Sequence, residues 1–172
     1  VTTEELPVLR HLIRSLGEAG KDGGAGYPEA LTGLSSQRVS DLRRDYWLSA
    51  EFRLGAIPAN RRLIDKLPLQ IVQLPLVRRV FPEAPVLVAL RDPRDVVLSC
   101  FMQAFKPNHA MVNFETLESS AELYGLVMGL WLDMRERLGL AILEYRYEDL
   151  IDAPRETMTR VLAHLELPWN DA

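Results

Sequence analysis

Pro85-Val86-Leu87-Val88-Ala89-Leu90-Arg91-Asp92-Pro93-Arg94-Asp95-Val96-Val97-Leu98-Ser99 is the stretch on which the fold turns. Residues 86–90 are apolar without alternation and partly β-branched, which suits a strand covered on both faces, as in a parallel sheet. Arg91-Asp92 closes that run with charge. Pro93 then presets the backbone of a first helical turn, and a helix is expected over Pro93 to Phe105.

The same alternation of short apolar runs and helical stripes extends on both sides. Downstream, Phe114 to Leu138 has Leu117, Ala121, Tyr124, Val127 (or Met128), Trp131, Met134 and Leu138 at helical spacing, an inward stripe. Leu140 to Tyr145 reads as a strand, and Arg155 to Leu165 as a last helix entered after Pro154. Upstream, Leu67 to Val80 reads as a helix with Pro68 in its first turn and Pro75 as a kink. Arg61-Arg62-Leu63-Ile64-Asp65-Lys66 is a short segment expected to be a strand. Further back the chain turns helical: Leu9, Leu12, Ile13 and Leu16 form one stripe, and Ser35 or Ser36 caps a helix carrying Val39, Leu42, Tyr46 and Phe52. Gly20 to Gly26 breaks the pattern between them and reads as a surface linker.

The expected architecture is α/β: a parallel sheet with strands near 61–65, 86–90 and 141–145, flanked by helices. One domain over 1–172 accommodates it, with 1–58 mainly helical and 59–172 the α/β part. Ligands of such sheets bind at the carboxyl ends of the strands. Those ends are Asp65-Lys66, Arg91-Asp92 and Arg146-Tyr147, all charged.

Composition narrows the function classes. Of 172 residues, 48% are apolar and 26% charged, a globular balance able to bury its own core. Cys100 is the single cysteine, which excludes an internal disulfide framework and a Cys-rich zinc site, and no metal is expected. The net charge of −4 and the lack of a basic tract leave nucleic acid without an electrostatic footprint. No apolar run nears the ~20 residues of a membrane helix, so no membrane role is expected and a cytoplasmic setting is the default. The chain starts at Val1, not Met, and is expected to be part of something longer. Oligomeric state is left open.

Arg91 at the strand end is a planar, bidentate phosphate donor, and the backbone N–H groups of a helix starting at Pro93 would add an anion site. Ser99, two turns in, can meet the same anion if that helix face lies along the ligand. The spacing alone also allows an ordinary strand–helix turn, with Asp92 as cap and Arg94 in solvent.

Arg91-Asp92-Pro93-Arg94-Asp95 through Ser99 resembles the 3′-phosphate-binding motif of sulfotransferases that use 3′-phosphoadenosine 5′-phosphosulfate. Asp65-Lys66-Leu67-Pro68 with Arg79-Val80-Phe81-Pro82 is similar to the segment before that motif in bacterial, often TPR-linked, members. Tyr145-Arg146-Tyr147-Glu148-Asp149-Leu150, Pro154 and Leu167-Pro168-Trp169 are similar to their C-terminal segment. The resemblance runs from about Leu6 to the end. It implies a P-loop-like sulfotransferase fold, N-terminally truncated, that moves a sulfonate group from 3′-phosphoadenosine 5′-phosphosulfate to a hydroxyl or amine acceptor. Adenosine 3′,5′-bisphosphate is then the by-product.

That resemblance also distributes roles. Arg91 and Ser99 would bind the 3′-phosphate, Tyr147 would border the nucleotide, and Lys66 would stabilise charge on the transferring sulfonate. His109, in a loop after the phosphate-motif helix, is a candidate acceptor-site residue, and Glu4 and Glu5 stand near where relatives keep a base. Glu148 and Asp149 would favour the N-terminus of the next turn. His11, His164 and Cys100 read as surface or packing residues. The family's Gly/Ser/Thr-rich 5′-phosphosulfate loop has no counterpart in these residues, and neither has a Walker-type Gly-Lys-Ser/Thr loop. A non-catalytic nucleotide-binding or interaction domain of the same fold is therefore the alternative to an enzyme.

Overall fold

The computed structural model describes residues 1–2, 8–21, 26–67, 69–105 and 110–171, and within 18–21 the backbone alone. It divides into two compact units, Val1–Pro82 and Glu83–Ala172.

The first unit is helical. Helix α1 (Val8–Lys21) buries Leu9, Leu12 and Leu16 of the expected stripe, half-buries Ile13, and buries Val8 as well. Helix α2 (Ser36–Leu54) starts where the Ser35 hydroxyl oxygen accepts the Arg38 N–H at 3.2 Å. It stops at Gly55, whose φ of +77° a residue without Cβ adopts cheaply. Leu42, Tyr46 and Ala50, one turn apart, are its buried face. Phe52, expected on that face, is instead 91% exposed, because two residues beyond Ala50 lies about 200° around the helix.

Two expectations here are corrected. The helix over Leu67 to Val80 resolves into a 3₁₀ turn, Gln70–Gln73, and a short helix α3 (Leu74–Val80). Pro75 is the reason: it donates no N–H and crowds the residue four before it, so an α-helix holds it only in the first turn. The strand expected at 61–65 is a single parallel bridge, Thr2 to Ile64. Val1 and Thr2 are its partners among the described residues, with the Ile64 N–H donating to the Val1 carbonyl at 2.8 Å. Asp65 and Lys66 therefore follow a bridge.

The second unit holds the sheet. Strand β1 (Val86–Leu90) and strand β2 (Ile142–Arg146) pair in parallel, in register from Val86 with Ile142 to Leu90 with Arg146. The sheet is thus parallel and flanked by helices, with two strands where three were expected. Between them lie helix α4 (Pro93–Met102), a 3₁₀ turn at Met111–Phe114 and helix α5 (Leu117–Met134). After β2 come the short helix α6 (Tyr147–Asp152) and helix α7 (Pro154–His164), the latter with its proline at the first turn.

Helix α5 is capped by Thr116, whose hydroxyl oxygen accepts the Ser119 N–H at 3.0 Å. Ser120, Trp131 and Met134 are its buried residues, and Ser119, Leu123, Tyr124, Val127 and Met128 are half-covered. The Trp131 indole N–H donates to the Glu144 carboxylate at 2.9 Å, tying α5 to the middle of β2. Leu117 and Ala121, expected inward, are exposed. Eighteen helical residues span about 27 Å while five strand residues span about 17 Å, so the first turns of α5 overhang the sheet.

Candidate functional site

Parallel register sets the site. Leu90 faces Arg146 at the end of the ladder, so the next residue of each chain segment, Arg91 and Tyr147, leave the sheet side by side. The Arg91 guanidinium carbon lies 5.1 Å from the centre of the Tyr147 ring, a cation–π contact. The same guanidinium meets the Asp95 carboxylate at 3.4 Å, an exposed pair one helical turn away.

Arg91, Asp95, Leu98, Ser99, Met102 and Gln103 line a shallow cleft of about 240 Å³. Their spacing of three and four residues puts one face of α4 along it. The structure thus brings Arg91 and Ser99 to one surface and stacks Tyr147 against the first of them.

The head of α4 differs from the open anion site the sequence suggested. Asp92 is its N-cap and accepts the Arg94 N–H at 2.9 Å. The Arg94 guanidinium folds back on the same carboxylate at 2.6 Å and 3.0 Å. Hydrogen bonds from Arg94 hold the Asp92 carboxyl far below the usual carboxylate range, and raise Arg94 in turn. Pro93 offers no N–H. The positive end of the helix is therefore already served by a resident carboxylate, and side chains on its flank face the cleft. The cap and the exposed Arg94 of the ordinary strand–helix turn coexist with Arg91 and Ser99 lining the cleft.

Lys66 belongs to the first unit and is exposed. The residue before it is held firmly: Asp65 accepts from the Tyr46 hydroxyl at 2.9 Å and from the Gln70 amide at 2.9 Å. Burial, then the Asp65 charge, push the Tyr46 hydroxyl far above its ordinary value, so it is a permanent donor. His109, Glu4 and Glu5 lie outside the described residues, as do Asp22 to Ala25 of the glycine-rich stretch. Cys100 is half-buried and burial raises its thiol pKa, the opposite of an activated nucleophile. His11 is exposed with its Nε2 3.1 Å from Arg53.

Sequence reasoning missed two residues. Asp95 stands in the first turn of α4 and Arg91 just before the cap, so their ion pair is set by how the strand enters the helix. Glu148 read as a helix-dipole residue, yet its carboxylate crosses to the end of β1. No linear spacing signals that contact. A second cavity, about 210 Å³, shares Gln103 with the first and has Phe101, Phe105 and Phe114 in its wall. The Phe105 and Phe114 rings are 5.3 Å apart. Among the described residues no group of His, Cys, Asp or Glu could hold a metal ion, and no helix is long and apolar enough to cross a membrane.

A family model described as "Sulfotransferase family" matches residues 14–171. An uncharacterized protein of Aquifex aeolicus (strain VF5) is 26% identical over 175 aligned positions, which cover 97% of this chain and 22% of that protein. The chain thus spans about a fifth of that relative's length.

Proposed function

The chain belongs to the sulfotransferase family, and on that premise we propose that it binds 3′-phosphoadenosine 5′-phosphosulfate as sulfonate donor for a hydroxyl or amine acceptor. The observation that carries this reading is the shared cleft: Arg91 and Ser99 line it together, with Tyr147 packed on Arg91.

Each residue has a role its chemistry fits. The Arg91 guanidinium offers two parallel N–H donors to the 3′-phosphate, and the Ser99 hydroxyl, two turns along α4, offers a third. Tyr147 holds the guanidinium plane and gives the nucleotide an aromatic edge. Lys66 supplies a cation for the sulfonate and for the phosphate oxygen from which it departs. In the transfer the acceptor oxygen or nitrogen bonds to sulfur as the bond from sulfur to the phosphate oxygen breaks. That electron pair stays on adenosine 3′,5′-bisphosphate, and the acceptor's proton passes to a base. The protein's part is positioning and charge stabilisation, as in phosphoryl transfer. A reducing, cytoplasmic setting suits a chain with one cysteine, Cys100, and so no internal disulfide.

Calorimetry with adenosine 3′,5′-bisphosphate and adenosine 5′-monophosphate tests this directly. The reading requires a clear preference for the bisphosphate, since the cleft is assigned to the 3′-phosphate. Equal affinities would overturn it.

A further inference from the structure

Glu148 opens the short helix α6, yet its carboxylate serves the other strand. Its Oε1 accepts the backbone N–H of Asp92 at 2.8 Å, a contact between residues 56 apart in sequence. Its Oε2 is shut off from solvent and has no hydrogen-bond donor among the described residues. The Arg146 guanidinium lies beside it, its Nε 3.4 Å from that oxygen. One carboxylate therefore ties the carboxyl ends of both strands together.

The peptide it grips matters. The Asp92 N–H is part of the planar unit that begins at the Arg91 carbonyl, so holding that N–H sets ψ of Arg91 and the direction its side chain leaves the backbone. Glu148 also follows Tyr147, the ring on which Arg91 rests at 5.1 Å. A single acceptor thus fixes the guanidinium and its platform relative to each other. An acidic group beside a phosphate site would normally repel the ligand. Here one oxygen is taken by a backbone donor and the other faces Arg146.

We infer that Glu148 is a positioning residue for the phosphate-binding cleft: its carboxylate holds the Arg91–Asp92 peptide so that Arg91 shares a surface with Ser99. This rests on the reading of that cleft as a 3′-phosphate site. The Asp92 amide also keeps the Glu148 carboxyl below the usual range, so the clamp is charged at neutral pH.

The test is the ratio of affinities for adenosine 3′,5′-bisphosphate and adenosine 5′-monophosphate, measured calorimetrically on the full chain. Glu148→Ala should lower that ratio about tenfold, the scale of losing an orienting partner behind a metal-binding side chain, and leave 5′-monophosphate affinity unchanged. Glu148→Gln keeps an oxygen that can accept the Asp92 N–H and should retain the ratio to within about twofold. If Glu148→Ala does not fold, Glu148→Asp, one methylene too short to reach, takes its place. Hydrogen exchange at the Asp92 amide should speed up in the Ala and Asp variants and not in Gln. A wild-type ratio in Glu148→Ala or Glu148→Asp, or unchanged exchange at Asp92, would overturn the inference alone. A wild-type protein with no bisphosphate preference would overturn the nucleotide reading with it.

Discussion

Replacing Arg91 by alanine removes the only guanidinium among the described residues lining the 240 Å³ cleft. A hydrogen bond to a charged group contributes about 1.5–3 kcal/mol. Arg91 is not idle in the unliganded protein, however: it pairs with Asp95 at 3.4 Å, with side chains 41% and 57% exposed. An exposed pair of that kind is worth roughly 0.2–1 kcal/mol, and a phosphate must compete with it. The net loss for Arg91→Ala is then about 0.5–2.8 kcal/mol, roughly 2- to 100-fold in dissociation constant. Asp95→Asn should act in the opposite direction, tightening binding by up to about fivefold, because the competitor loses its charge. Arg91→Lys keeps charge but not the planar fork or the stack on Tyr147, and should fall between. Calorimetry with adenosine 3′,5′-bisphosphate measures all three, with circular dichroism as a check on folding. An Arg91→Ala protein with intact fold and unchanged affinity would remove Arg91 from the site. An Asp95→Asn protein that binds more weakly would show that the pair assists the ligand.

Residues 1–172 alone, which lack the 5′-phosphosulfate loop, should transfer no sulfonate; in a protein that includes that loop, Lys66→Ala should lower kcat by ~10²–10³ while hardly affecting bisphosphate affinity, since the by-product carries no sulfonate. Transfer from radiolabelled 3′-phosphoadenosine 5′-phosphosulfate over a panel of hydroxyl acceptors reads it, and a normal kcat would take Lys66 off the catalytic roll. Leu42 is fully buried in the helical unit, so Leu42→Ala should cost about 2–5 kcal/mol, seen as a lower urea midpoint at unchanged slope. A loss well under 1 kcal/mol would mean that this core is not packed as described. Glu148 titrates below the usual carboxylate range when folded, chiefly through the Asp92 N–H. Its contribution to stability is therefore complete above that range and disappears as pH falls through the lowered value. The Tm difference between wild type and Glu148→Gln should accordingly shrink on acidification from neutral pH, and a widening gap would contradict the clamp.

Much of this protein is legible along the chain. Val86–Leu90 shows its strand as a continuous apolar run, although Leu87 and Ala89 are exposed where cover on both faces was expected; Pro93 marks the start of α4 to the residue, and α7 begins at Pro154, one residue before the expected Arg155. The stripes of α1 and of the second half of α5 follow directly from helical period. Arg91 and Ser99 stand out by local chemistry and resemblance, and both line one cleft. The failures have a common cause. Leu63-Ile64 looks like a strand by composition, but a strand exists only through a partner, and Val1-Thr2 provides one bridge. Leu117 looks buried by period, but burial depends on how far the covering sheet extends.

Local sequence therefore determined the elements with strong internal signals: proline at helix starts, Ser35, Thr116 and Asp92 as caps, apolar period on helix faces. These depend on neighbours within about four residues, where backbone sterics and hydrogen bonding act. Only the tertiary structure decided what the strand ends do. Register sets Arg91 beside Tyr147, the Asp92 cap closes the helix end expected to take an anion, and Glu148 reaches across 56 residues to the Asp92 amide. Each of these is a contact a few ångströms long between groups that the covalent chain leaves far apart or free to choose another partner. The free energy of such a contact depends on pairing and packing of the whole unit, which no window of residues contains.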